Sequence, residues 1–194
     1  PAPCQTGCNR NKVEDTVGIN AVEQYIGDTA LEKGFTFQAG PETGKRVAIV
    51  GGGPAGLSAA YQLRRKGHAV TLFDDHAELG GMAKYGVPGY RLPRTHLDGE
   101  INRILGMGVE VRTKTRVGRD VRLEDLQRDF EAVLIAIGCK AGRALPVPGA
   151  DAPNVISGVA FLEAFNQGRL KAVAGRVVGV GGGDTSVDVV SVAR

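Results

Sequence analysis

Three histidines, three cysteines and a formal net charge of only +3 are all that this 194-residue chain offers to the commoner kinds of side-chain chemistry. Each shortage excludes something. An odd number of cysteines does not make a disulfide framework. The small, interspersed charge excess gives neither the basic face that nucleic acid requires nor a membrane-surface stripe. No apolar run approaches the roughly 20 residues of a bilayer span, and the N-terminal residues lack the charged and apolar regions of a secretion signal. A cytoplasmic, reducing location is the expectation. His68, His76 and His96 stand in no catalytic pattern and are expected at surface positions near helix or loop ends. No catalytic residue is therefore named.

What the chain has in excess is glycine, 29 residues, against an average usage of roughly 7%. Two runs stand out, Gly51-Gly52-Gly53-Pro54-Ala55-Gly56 and Gly181-Gly182-Gly183-Asp184-Thr185-Ser186. Each follows an apolar stretch and precedes a helix-compatible one, the context that a dinucleotide-binding turn needs. In the first, Arg46-Val47-Ala48-Ile49-Val50 reads as a strand buried on both faces. Gly51 allows the tight turn, Gly53 lets backbone approach a pyrophosphate, and Gly56 lets the next helix lie close to the strand. The phosphate would meet unpaired N–H groups at the positive end of a helix running from Pro54 to about Lys66. A second strand, Ala69–Phe73, closes with Asp74, roughly 20 positions past the glycines, where a carboxylate can accept from a ribose hydroxyl. Asp75 is expected to be solvated.

The second turn repeats the first with different chemistry. Aligned over Val47–Arg64 and Val177–Arg194, the two segments share Val47, Val50, the three glycines and Arg64. Ser186 replaces the third glycine, which still permits close packing but changes the helix–strand distance. Asp184 and Thr185 sit where side chains can cap the helix or meet a ligand. Two such turns imply two dinucleotides.

Between and around the turns, strand and helix alternate, which argues for an α/β fold with mainly parallel sheets. Helices are expected at Ile19–Lys33, Arg94–Leu105, Leu123–Arg128 and Gly158–Gln167, and strands at Val109–Arg112, Glu131–Ile137 (buried) and Gly175–Val180. The Glu78–Pro93 segment is too rich in Gly and Pro for regular structure and is a ligand-contact candidate. A proline-rich connection spans 144–153. Cys139, after a strand, is expected to be a small core residue. The chain starts without methionine and stops within the helix after the second turn, so it is expected to be part of a longer polypeptide.

The full set of motifs resembles the small, FAD-containing subunit of glutamate synthase and its relatives, the NADH-dependent ferredoxin:NADP oxidoreductase and the N-terminal part of dihydropyrimidine dehydrogenase. The residues that carry it are Pro1-Ala2-Pro3-Cys4-Gln5-Thr6-Gly7-Cys8, the Gly51 turn with Asp74, Gly80-Gly81, Tyr85-Gly86-Val87-Pro88-Gly89-Tyr90-Arg91-Leu92-Pro93, Ala136-Ile137-Gly138 and the Gly181 turn. The Tyr85–Pro93 loop is the most specific of them. Where the family often has Ala-Thr-Gly, Ile137 removes the threonine hydroxyl.

The resemblance implies a Rossmann-like FAD/NAD(P)-binding fold behind a helical, cysteine-bearing N-terminal region. Its parts would be 1–40, the end of an iron–sulfur region; 45–150, the first segment of an FAD domain; and 151–194, the start of an NAD(P) domain. FAD contacts would fall on Gly51, Gly53, Pro54, Ala55, Gly56, Leu57, Asp74, Gly81, Met82, Arg91, Val117 and Gly138. A guanidinium such as that of Arg91 suits a pyrophosphate. NAD(P)H would lie against Gly182, Gly183, Asp184 and Thr185. Cys4 and Cys8 would each serve a different [4Fe-4S] cluster, with Glu23 matching a carboxylate ligand position, the remaining ligands lying outside these residues. The implied activity is electron transfer between NAD(P)H, FAD and the iron–sulfur centres of a larger partner subunit or domain, in either direction. Two alternatives stand beside it: a nucleotide-binding assembly subunit without catalysis, and a disulfide reductase, which needs a cysteine pair absent after Asp74.

Overall fold

The computed structural model describes residues 2–142 and 145–194. Pro1 of the N-terminal motif, and Arg143 and Ala144 at the edge of the expected proline-rich connection, lie outside the described residues. The chain forms two compact units, Pro1–Thr36 and Phe37–Arg194.

The first unit is helical: α1 (Pro3–Thr6), a 3-10 turn (Asn9–Lys12) and α2 (Ile19–Glu32). Pro3 opens α1 where its missing N–H costs nothing. Asn11 Nδ2 donates to the carbonyl oxygens of Gln5 and Thr6, and the Thr16 hydroxyl donates to Gln5 O at 3.2 Å. These bonds fold the segment before α2 back on α1.

The second unit is built on a parallel sheet of order β3-β2-β1-β4, the α/β architecture read from the alternation of elements. β1 (Arg46–Val50) and β2 (Ala69–Phe73) are the central strands and pair in register from Arg46 opposite Ala69 to Val50 opposite Phe73. Their continuous apolar runs fit burial on both faces. α3 (Pro54–Arg65) connects them, burying Leu57 and Ala60 against Ile49, Val70 and Leu72. Across the sheet, Ala48, Val50 and Phe73 meet Leu126 of α6 (Leu123–Asp129). α5 (Arg94–Leu105) adds Ile101 to the first layer, and β3 (Glu110–Arg112) completes that side of the sheet. Arg64, at the end of α3, is buried: Nε donates to Met107 O at 2.8 Å and Nη1 to His68 O at 2.9 Å. One guanidinium thus ties two loops together beneath the sheet.

Three expectations need correction. The Glu78–Pro93 segment contains one helical turn, α4 (Met82–Tyr85), which starts directly after the left-handed pair Gly80-Gly81. β4 (Ala132–Ile135) forms as expected but is not buried. It is an edge strand pairing only with β1, and Ile135 is 52% exposed. Residues Gly175–Val180 form no strand at all. A parallel strand buries its apolar side chains only between neighbours, and among the described residues this segment has no ladder partner, so Val178 stays 76% exposed. The helices around it do form, α7 (Gly158–Asn166) and α8 (Asp184–Val192). Ser157 caps α7 by accepting from Ala160 N–H at 3.3 Å.

Candidate functional site

Because Val50 and Phe73 are register partners, the turn after β1 and the acid after β2 emerge side by side at the C-terminal edge of the sheet. Ligand sites of open α/β sheets form at that edge. Gly51 takes φ +111°, and a Cβ there would collide with the carbonyl of Ala136, so the position requires glycine. Gly52 N–H donates to Asp74 Oδ2 at 2.6 Å, while Asp74 Oδ1 accepts from His76 N–H at 2.8 Å. Asp74 is only 7% exposed. Its carboxylate therefore holds the glycine turn in shape, a role the sequence did not reveal, and the remaining lone pairs are free to accept from a ligand hydroxyl.

Gly53 is the open position. A Cβ built on it would meet only Gly81 Cα, at 3.7 Å, and Gly53 caps α3 in an extended conformation. Gly80 N–H donates to Gly52 O at 2.8 Å, laying the second glycine pair on the first. Above this floor is a cavity of about 500 Å³. Its lining includes Gly51, Gly53, Pro54, Ala55, Asp74, Gly81, Met82, Val117 and Gly138. The structure thus gathers these nine expected residues around one space.

Three other expected residues lie elsewhere. Gly56 is buried where a Cβ would strike the carbonyl of Gly51, so it sets the helix–strand contact. The Leu57 side chain belongs to the apolar core. Arg91 is not in the lining: its Nη1 lies 3.0 Å from both carboxylate oxygens of Asp188, an ion pair that raises the guanidinium pKa further.

Sequence reasoning missed several neighbours. Thr115, Arg116, Cys139 and Lys140 line the cavity, and Cys139 is exposed rather than a core residue. Asp75 is not simply solvated: Lys140 Nζ donates to it at 2.7 Å. Burial pushes the Asp75 carboxyl up, but the hydrogen bond and charge of Lys140 outweigh that and lower it overall. His76, expected at the surface, has a side chain only 14% exposed, stacked on Tyr85 with ring centroids 4.2 Å apart and facing Asp74, Asp75 and Glu163. No spacing signal in the sequence marks the Asp75–Lys140 and His76–Glu163 contacts, because they join segments that only the fold brings together.

A second, larger concavity of about 640 Å³ lies beside Lys84 and Arg94. Its cations are already engaged. Lys84 pairs with Asp98 at 2.8 Å and Glu78 at 3.2 Å, and Arg94 donates to the carbonyls of Ala83 and Val87. The glycine-floored cavity is the better binding site.

At the second turn, Gly181 takes φ +119° and Gly183 caps α8. Asp184 and Thr185 are the first helical residues rather than caps, and Gly182, Gly183, Asp184 and Thr185 are all exposed. In the N-terminal unit, Cys4 is exposed on α1, Cys8 precedes the 3-10 turn and Glu23 is exposed on α2. Among the described residues these three are not gathered into a metal-ligand set. Among the described residues the group that could hold a metal ion is Asp74, Asp75 and His76. No helix among the described residues is long and apolar enough to cross a membrane.

The model of the pyridine nucleotide-disulphide oxidoreductase family matches residues 45–194. The chain belongs to that family. The NADP(+)-dependent formate dehydrogenase subunit beta of Moorella thermoacetica is 41% identical over 96% of this chain and 30% of its own length. The glutamate synthase [NADPH] small chain of Mycobacterium tuberculosis is 38% identical over 97% of this chain and 42% of its own. The NADPH-Fe(3+) oxidoreductase subunit beta of Geobacter sulfurreducens is 38% identical over the whole chain and 30% of its own length. The chain therefore spans less than half of each of these relatives. Among solved structures, Mycobacterium tuberculosis FprA in complex with NADPH matches with a TM-score of 0.59 at 25% identity, over 63% of this chain and 29% of that one. The resemblance to the glutamate synthase small subunit thus agrees with the relatives. The matched segment holds a single cysteine, Cys139, so this member has no disulfide pair there for redox chemistry.

Proposed function

We propose that the chain is the core of an FAD-dependent NAD(P)H oxidoreductase that passes electrons to a larger redox subunit or domain. One observation carries the reading: an α3 N-terminus whose capping glycine is open to a cavity of about 500 Å³, beside a buried acid. A dinucleotide fits these groups. The first N–H groups of α3, with Gly53 giving close backbone approach, suit a pyrophosphate. Asp74 has lone pairs for a ribose hydroxyl, and Met82, Val117 and Ile137 give the cavity apolar wall. When bound, FAD supplies acceptance of a hydride, two electrons and a proton, from NAD(P)H, which leaves as NAD(P)+, and release of those electrons one at a time.

The residues of this chain position and tune. Gly51, Gly53, Pro54, Ala55, Asp74, Gly81, Met82, Val117 and Gly138 are assigned to FAD, whereas Gly182, Gly183, Asp184 and Thr185 are assigned to the nicotinamide dinucleotide. Arg91 is left out of the flavin set, being committed to Asp188. The acceptor is a separate centre, of iron–sulfur type by the family resemblance. Cys4, Cys8 and Glu23 are its candidate contributors; they are fewer than the four ligands that one cluster takes, and the resemblance divides the two thiols between two clusters, so no step is derived through it. A cytoplasmic location accompanies this reading. The test is anaerobic titration of the full-length protein with NADH or NADPH. Bleaching of a visible flavin band is expected. Absence of flavin, or a band that neither nucleotide bleaches, would overturn the proposal.

A further inference from the structure

Asp188 is a carboxylate only 6% exposed on the helix that follows the second glycine turn. A charge that deep is costly unless partnered. Its partners come from 97 and 98 positions away: Arg91 Nη1 reaches both oxygens at 3.0 Å, and the Tyr90 hydroxyl donates to Oδ1 at 3.2 Å. Both belong to the loop that follows α4, the helical turn whose first residue, Met82, is in the wall of the first cavity. The same loop is fastened to α7, where Asn166 Nδ2 donates to Tyr85 O at 2.9 Å and accepts through Oδ1 from Arg94 at 3.0 Å. α7 in turn lies against α8 at Gly158, whose missing side chain leaves room for Thr185 and Val189.

The glycine turn itself does not need this aspartate. The aligned position in the first turn is Ser58, exposed and outside any such bond. With its guanidinium 40% exposed, the pair is expected to add little to global stability. What the constellation does is fix the middle of α8, one turn after Asp184 and Thr185, to the segment whose Gly81 and Met82 line the first cavity.

We propose that Asp188, acting through Tyr90 and Arg91, is a positioning residue that sets the second nucleotide turn at its working place beside the first. The proposal rests on the assignment of the two turns to NAD(P)H and FAD. A misplacement of about 1 Å is enough to slow a bound-state reaction on the order of a hundredfold, so a single strut of this kind governs rate without touching either nucleotide.

The test uses the full-length, flavin-loaded protein. Asp188→Asn keeps shape and an acceptor for Tyr90 but removes the charge. It is expected to leave FAD content and NAD(P)H affinity within about twofold and to slow flavin reduction at saturating nucleotide about tenfold. In the nucleotide-free protein, amide hydrogen exchange across residues 184–192 is expected to accelerate by a similar factor. The exchanged pair, Arg91→Asp with Asp188→Arg, is expected to recover much of that protection. Tyr90→Phe gives the same changes more weakly and decides the matter if the asparagine variant does not fold. Wild-type exchange and wild-type reduction rates in the variants would overturn the proposal, as would a rate loss that merely tracks lost FAD. A wild-type flavin that neither nucleotide reduces sinks the functional assignment instead, and the exchange data then show separately whether the strut holds α8.

Discussion

The two glycine turns of this chain have almost the same backbone and very different surroundings. Gly51 and Gly181 take φ +111° and +119°, and Gly53 and Gly183 cap their helices at φ −78° and −82°. Around the first, β1 lies between β2 and β4, Gly56 lets α3 close down, and Asp74 grips Gly52. Around the second, Gly175–Val180 has no strand partner among the described residues and Ser186 stands in place of the third glycine, its Oγ 2.7 Å from where a Cβ on Gly181 would be. The comparison separates two things a motif does. Three glycines before a helix fix local dihedrals by themselves, but a walled cavity needs the sheet.

That contrast can be broken by substitution. Gly56→Ala drives a methyl into the Gly51 carbonyl and is expected to cost about 3 kcal/mol, read by denaturant unfolding, with loss of bound flavin. Ser186→Ala, at the matching position, is expected to stay within about 0.5 kcal/mol. Equal costs at the two positions would remove the distinction. Asp74→Asn leaves a buried backbone donor facing an amide and is expected to cost about 2 kcal/mol and to weaken flavin retention more than tenfold, measured by equilibrium dialysis. Ser157→Ala removes the cap of α7, which supports the second turn, for about 1 kcal/mol, and should leave flavin content unchanged.

The smallest effect sharpens the first site alone. The Asp75 carboxyl is held below its ordinary value of 3.8 by Lys140. A depressed folded-state pKa contributes stability that is present above pH 3.8 and disappears as pH falls through the folded value. Lys140→Met should therefore lower thermal stability slightly near neutrality, with the gap to wild type closing below about pH 4. A gap that widens on acidification would contradict the pairing.

How much of this was legible in the sequence depended on whether the signal was local. β1, β2 and α5 fall on the residues their apolar periods marked, because central strands and amphipathic helices carry their burial pattern with them. The burial of Glu131–Ile137 was misread, since an apolar run does not say whether a neighbour lies on both sides. Val177, Val178 and Val180 teach the same lesson more strongly. α4 was hidden because proline and glycine flank it. Lys140 and Asp188 lay beyond reach for another reason: their partners are 64 to 98 positions away, joined only by the fold. Arg91 shows the converse. Its chemistry suits a phosphate, and the structure adds a partner that the sequence did not mark, Asp188 at 3.0 Å from Nη1.

Arg64 gives the domain an unequal pair of ends. Below the sheet, a planar fork that lysine does not reproduce closes two loops from a single residue. Above it, Gly53 and Gly138 leave the edge open. The two ends thus divide the labour: one is closed by a single side chain, while at the other Gly51 and Asp74 hold the turn in shape and line the cavity at once, so any change there touches folding and binding together.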